Sequence, residues 1–284
     1  MLLLAIFLAS FVIAHPTPEF IAHRAPKVLE EVTIFVPPST YTIPRTLYAR
    51  TLLLETDGDE TDGNLGKLFP RTSIFPDIPI YGHEFGGFPA GAILCAGNSI
   101  PADLSATQID LYASTDKGLT WTFVSHIASG GVAEPVNGDT PVWEPFLMLY
   151  QDEMIVYYSD QRDPDFGQKL VHQTSTDLLT WEAAVNDVAY DVFDDRPGMT
   201  TVALLPNGSY IMTYEFFGAP EASFAVYYRI SDDPTAFDLA PGQVLRATDG
   251  TIPTSSPYIT WSSVGGANGI LAMAHYIICR TPDN

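Results

Sequence analysis

The chain predicts an all-β propeller, and three observations carry that reading. A Ser-x-Asp-x-Gly-x-Thr-Trp octapeptide, Ser114 to Trp121, returns as Ser175 to Trp181 with the glycine lost and one residue deleted. The serines are 61 residues apart and the tryptophans 60, a period that belongs to stacked supersecondary units such as propeller blades or solenoid turns. Between these marks, short apolar runs alternate with turn formers, about four to each unit, the propeller pattern. Composition agrees: 16 Phe and 14 Tyr stand among 21 Gly and 23 Pro, a mixture of strand and turn formers rather than of helix formers.

Taken in order, the chain opens with the apolar run 2–13, which is too short to cross a bilayer as a helix and ends at Val12-Ile13-Ala14. Small residues at those places predict a secretory signal over 1–14, cleaved before His15, with a single propeller domain over 15–284; a buried N-terminal strand is the alternative. Val32 to Val36 and Tyr41 to Leu54 read as strands, and Glu55 to Glu84 as a long loop or a damaged repeat. From Gly86 the rhythm is regular. Strands are expected at Ala92–Gly97, Gln108–Ser114 and from Trp121 to His126, then at Phe146–Tyr150 and Met154–Ser159 about a turn at Gln151-Asp152-Glu153. Leu170–Ser175 follows, and Trp181 opens the next strand. Thr200–Leu205 and Tyr210–Tyr214 flank Pro206-Asn207-Gly208, which overlaps the sequon Asn207-Gly208-Ser209. Phe224–Ser231 leads into a worn third copy of the octapeptide at Ser231-Asp232-Asp233-Pro234, and Tyr258–Trp261 and Ile270–Tyr276 close the series. Units begin at Glu144-Pro145, Arg196-Pro197 and Ser256-Pro257, and in a propeller the innermost strand of each blade lines the central channel.

Charge excludes some functions. Lys plus Arg number 13 and Asp plus Glu 34, a net charge of −21, which argues against nucleic acid and anionic membrane surfaces as partners. The octapeptides are scaffold: Ser and Asp cap a tight hairpin, Gly supplies a positive φ, and Trp packs between blades. Glu144 and Glu215 are different, because each interrupts an apolar strand beside Trp143 or Tyr214. An unpaired carboxylate is costly to bury there, so it must face a polar channel or a partner. Two carboxylates on one channel are what glycosidic bond cleavage needs, one to give a proton and one kept ionised; a place on the strand surface, or pairing with Arg45, Arg162 or Arg196, is the alternative. Tyr158, Asp160 and Arg162, at a strand end, suit sugar hydroxyls or form a self-paired turn. Arg45 and Arg196 are channel residues or counter-ions. No histidine spacing fits a metal, so neither metal nor cofactor is expected. Cys95 and Cys279 lie in apolar stretches, as a disulfide or as two buried thiols.

Longer words then point to a family. Gly91-Ala92-Ile93-Leu94, Gly97-Asn98-Ser99-Ile100-Pro101, Thr140-Pro141-Val142-Trp143-Glu144-Pro145-Phe146, Tyr158-Ser159-Asp160-Gln161-Arg162-Asp163-Pro164, Gly167 to Gln173, Arg196-Pro197-Gly198-Met199 and Tyr210 to Glu215 resemble the fungal exo-arabinanases of glycoside hydrolase family 93. Pro44 to Arg50 resembles the start of that family's first blade. The resemblance implies a six-bladed, sialidase-like propeller that releases arabinobiose from the non-reducing end of α-1,5-linked arabinan with retention. It implies Glu144 as nucleophile and Glu215 as acid/base, with carboxyl groups ~5–5.5 Å apart as retention requires. Arg45, Trp143, Tyr158, Asp160, Arg162, Arg196 and Tyr214 complete the expected substrate-binding set. Against the family pattern, Glu55 to Glu84 lacks an aromatic acidic strand, and the stop at Asn284 falls inside a late blade. The first and last blades are therefore expected to be incomplete. A secreted, monomeric arabinanase is the leading expectation. A non-catalytic or inactivated carbohydrate-binding propeller is the second, and a sialidase, which needs an arginine cluster, the third.

Overall fold

The computed structural model describes residues 84–262, apart from 117 and 248, together with 51–52, 67–68 and 270–273. These residues belong to one unit, Pro37–Asn284. The expected signal segment, Arg45, Cys279 and most of the stretch from Glu55 to Glu84 lie outside the described residues.

Among the described residues, everything regular is antiparallel strand, apart from one 3-10 turn at Phe237–Leu239. Among the described residues no helix is long and apolar enough to cross a membrane. Strand β1 (Thr51–Leu52) pairs with β2 (Lys67–Leu68). Strands β3 (Ile93–Ser99), β4 (Thr107–Ser114) and β5 (Thr122–Gly130) form a three-stranded sheet. Two complete four-stranded sheets follow: β6 (Val142–Tyr150), β7 (Glu153–Asp160), β8 (Lys169–Ser175) and β9 (Val185–Val188), then β10 (Arg196–Leu204), β11 (Tyr210–Phe217), β12 (Ala225–Ser231) and β13 (Gln243–Val244). The last described pair is β14 (Ile259–Ser262) with β15 (Ile270–Met273). Neighbours in sequence are neighbours in each sheet, and β6 packs on β3, β10 on β6 and β14 on β10. First strands of successive sheets thus lie side by side, which is propeller packing.

The core lies between the sheets. Met154, Val156 and Tyr158 of β7 join Leu94, Ala96, Ile109 and Leu111 in one cluster, whereas Ile155 and Tyr157 join Met212, Tyr214 and Phe216 in the next. Because both faces of β7 are covered, its sequence shows an unbroken apolar run instead of alternation. Full burial contributes about 1.5–3 kcal/mol for each large apolar side chain.

The repeated hairpins show how their sequence folds them. Asp116 takes the Thr120 N–H at 2.8 Å on Oδ1 and the Thr120 hydroxyl at 2.6 Å on Oδ2, and these bonds hold its carboxyl down at about 2. Asp177 repeats the arrangement with Thr180 at 2.7 and 2.8 Å. Asp233 accepts from the Thr235 N–H and hydroxyl, so the worn third copy keeps the turn. Gly118 has φ 82°; where the second copy lost its glycine, Leu178 adopts φ 62° and is fully buried. Leu178 can hold that strained backbone because its side chain fills the inter-sheet core. Some boundaries differ from expectation: β6 and β10 begin at Val142 and Arg196, four residues ahead of Phe146 and Thr200, and β5 begins after Trp121. Trp181 precedes β9 rather than opening it, since its indole N–H is turned to Ser125 Oγ of the neighbouring sheet at 3.1 Å.

Candidate active site

The site grows from one irregularity on two inner strands, echoed by positive φ angles ahead of a third. On β6 the ladder passes from Trp143 opposite Ser159 to Phe146 opposite Tyr157, so Glu144 and Pro145 together face one residue. Pro145 has no N–H to give the ladder, and Glu144 takes φ 59°. On β10 the same break lies between Gly198, opposite Glu215, and Thr201, opposite Thr213, with Met199 at φ 54°. Ahead of β14, Ser255 and Ser256 have φ 67° and 42° and precede Pro257. Such bulges re-aim side chains beside functional sites, and each strained residue costs about 1–3 kcal/mol that surrounding contacts must offset.

Those contacts come from the preceding sheet. The Glu144 N–H donates to Asn98 Oδ1 at 3.0 Å, while Asn98 Nδ2 donates to the Val142 carbonyl at 2.7 Å. The Met199 N–H donates to Glu144 Oε2 at 2.7 Å, where the Ser159 hydroxyl also donates at 2.9 Å. The Ser256 N–H donates to Glu215 Oε2 at 2.7 Å, with the Ser255 hydroxyl at 3.3 Å. Ser159 and Glu215 occupy matching places, each opposite the residue before a bulge. Both glutamates are therefore structural caps for the next blade. Among the described residues their donors all meet Oε2, which leaves Oε1 for a ligand.

Both carboxylates line one cavity of about 630 Å³ with Trp143, Gln168 and Arg196. Burial raises both above the ordinary carboxylate range. Glu144, which also feels the charge of Glu215, is pushed up to about 7 against the pull of the Met199 amide, Ser159 and Arg196. Glu215 is raised by burial and drawn back by Ser256, Ser255 and Arg196. Both carboxyls therefore hold a proton more tightly than an ordinary glutamate. Arg196 lies at the cavity without an ion pair among the described residues, its NH2 donating to Gln168 Oε1 at 3.2 Å. Burial lowers its pKa and the two glutamates raise it; it remains a cation that favours ionised carboxylate. Gln161 Oε1 accepts from the Trp143 indole at 3.0 Å and from Arg196 at 3.4 Å, which ties the two together.

The other expected sugar-binding residues are placed elsewhere. Asp160 forms a two-point pair with Arg162, Nε to Oδ1 at 2.9 Å and NH2 to Oδ2 at 2.7 Å, and Arg162 also donates to the Tyr158 hydroxyl at 2.8 Å. This closed cluster faces the β3–β5 sheet, because on β7 Tyr158 and Asp160 alternate with Ser159, which turns to Glu144. Tyr214 is fully buried between sheets with its hydroxyl 2.7 Å from that of Tyr190. Sequence reasoning did not single out Asn98, Ser159, Gln168, Phe217, Phe224 and Ser255, and it marked Ser256 only as the start of a unit. Asn98, Ser159 and Gln168 sit inside the family words; for the serines before Pro257 the proline was the one signal.

No protein-family model matches the chain, and no curated protein matches it by sequence. Solved structures do. The α-L-arabinanase of Penicillium chrysogenum, solved in complex with arabinobiose, is 43% identical over 89% of this chain and 81% of its own, with a TM-score of 0.79. The family-93 α-L-arabinofuranosidase of Fusarium graminearum, also solved with arabinobiose, is 47% identical over 77% of this chain, with a TM-score of 0.69. The chain belongs to glycoside hydrolase family 93. It spans 61% of the length of the Fusarium enzyme. The words quoted from the sequence fall on the inner strands β3, β6 and β10 and on β7, β8 and β11.

Proposed function

We propose that the chain is a secreted, monomeric exo-α-1,5-L-arabinanase, built on a six-bladed ring, that releases arabinobiose with retention of configuration. The observation that carries this is the pair Glu144 and Glu215, each anchored through one oxygen and open to the same cavity beside Arg196. In the first step the Glu215 carboxyl gives its proton to the departing glycosidic oxygen while a Glu144 oxygen bonds to the anomeric carbon. In the second, Glu215 takes a proton from water, which displaces Glu144 and regenerates the site. The Met199 amide and Ser159 hydroxyl stabilise Glu144 as it is released again as an anion. Retaining chemistry needs a proton on Glu215 and an ionised Glu144, whereas in the free site burial and the charge of Glu215 raise Glu144. Substrate must therefore bind with the pair singly protonated and draw the proton to the side of the leaving oxygen.

The test is digestion of linear α-1,5-arabinan followed by chromatography of the products, with Glu144→Gln and Glu215→Gln alongside. Arabinobiose as the first product of the parent, and none from either variant, is the expected result. Binding of arabinan by folded parent protein without any product would make the chain a carbohydrate-binding propeller instead.

A further inference from the structure

We propose that Phe217 and Phe224 form the platform for the leaving-group sugar, the arabinofuranosyl residue on the far side of the bond being cut. This rests on the arabinan reading and gives the cavity a direction. Phe217 follows Glu215 by two residues on β11, so the two share a face of the strand, and Phe217 ends the strand. Both rings line the cavity that holds the glutamates. They are 42% and 39% exposed, large apolar side chains that the fold leaves in water, and their centroids lie 5.1 Å apart with the rings tilted by 43°. The tilt opens a shallow apolar trough of the kind that receives the C–H face of a sugar ring.

Backbone strain fixes the trough to the proton donor. Phe224 has φ 57°, and its carbonyl accepts the Ser255 N–H at 2.8 Å. Ser255 and Ser256 are the residues that hold Glu215 Oε2. One strained corner therefore positions both the Phe224 ring and the Glu215 carboxyl. A general acid must lie against the oxygen that departs, so the sugar carried by that oxygen lies beside Glu215. There the fold supplies two phenyl rings, both from the sheet that carries Glu215 or its loops, while Trp143 and Gln168 come from the sheet that carries Glu144 and draw the Arg196 guanidinium to them through Gln161 and Gln168. The polar wall suits the hydroxyls of the sugar that is transferred; the phenyl wall suits the sugar that leaves.

The experiment compares two substrates in the full chain: α-1,5-arabinotetraose, and methyl α-L-arabinobioside, whose leaving group carries no sugar yet needs the same proton from Glu215. For Phe217→Leu, Phe217→Ala and Phe224→Gly, the last chosen because glycine suits φ 57°, kcat/KM is measured on both. The loss on the tetraose is expected to exceed the loss on the methyl glycoside by about tenfold for the Ala and Gly variants, the scale of one aromatic contact. Equal losses on the two substrates, or a larger one on the methyl glycoside, overturn the assignment. A folded parent that hydrolyses neither substrate defeats the arabinan reading itself, and the platform falls with it.

Discussion

Replacing Asn98 by alanine removes two hydrogen bonds that grip the β6 bulge from outside. The Glu144 N–H loses its acceptor at 3.0 Å and the Val142 carbonyl its donor at 2.7 Å. Asn98 is buried, so each group is left nearly dry. An orphaned buried group costs ~1–3 kcal/mol, together roughly 2–4 kcal/mol where water refills part of the gap. At ~2–3 °C per kcal/mol for a domain of this size, Tm falls by roughly 4–12 °C. The larger effect is on rate. Glu144 holds φ 59° only while its neighbours enforce it, and a displacement of about 1 Å in a reacting group costs ~10²-fold. Asn98→Ala is therefore expected to lose about 10²-fold in kcat on arabino-oligosaccharide with a much smaller change in KM. Asn98→Asp, which keeps an acceptor for the Glu144 N–H, is expected to retain more kcat than Asn98→Ala. Steady-state kinetics and a melting curve on the same samples decide it. Folded Asn98→Ala with kcat within threefold of the parent refutes the idea that Asn98 aims Glu144.

Two further outcomes follow from the same contacts. Glu144 titrates at about 7 in the folded chain against 4.5 for an ordinary glutamate; between those values the folded chain keeps a proton that the unfolded chain has released, so stability falls as pH rises. Glu144→Gln stays neutral and should gain at most ~3 kcal/mol over the parent above pH 7, with the gain vanishing below pH ~4.5. Urea unfolding at both pH values checks this, and a gain independent of pH contradicts it. At Leu178 the usual order of small substitutions should be altered. Alanine loses a fully buried side chain at ~2–5 kcal/mol, while glycine loses the same contacts but is relaxed at φ 62°. Melting curves should place Leu178→Gly level with or above Leu178→Ala; glycine clearly below alanine would mean that φ 62° carries little strain.

How much of this was legible in the sequence differs from element to element. The hairpins at Ser114 and Ser175 were readable because their side chains bond only to residues a few positions away, and that chemistry repeats with the blade period. Glu144 and Glu215 stood out as acids in apolar strands. The choice between Tyr158 and Ser159 was not readable, since both faces of β7 are covered and alternation leaves no trace. The register that turns Ser159 to Glu144 is set by the bulge at Glu144-Pro145. Asn98 and Ser256 act across sheet boundaries, 46 and 41 residues from the glutamates they brace. No local pattern encodes such a pairing. Tyr214 looked like a site residue because it adjoins Glu215, yet adjacent strand residues point to opposite faces, and it packs in the core.

Azide rescue of Glu144→Ala and Glu215→Ala, with the configuration of the glycosyl azide read by NMR, tests the division of labour between the two carboxylates most directly. With Glu144 as nucleophile, azide fills its space and attacks arabinobiosyl fluoride from the same side, so the product is the inverted, β-configured azide. With Glu215 as acid/base, azide replaces water in the second step and gives the retained, α-configured azide. The opposite pairing of variants and configurations would exchange the roles of Glu144 and Glu215. Inversion by the unaltered protein would contradict the double displacement altogether.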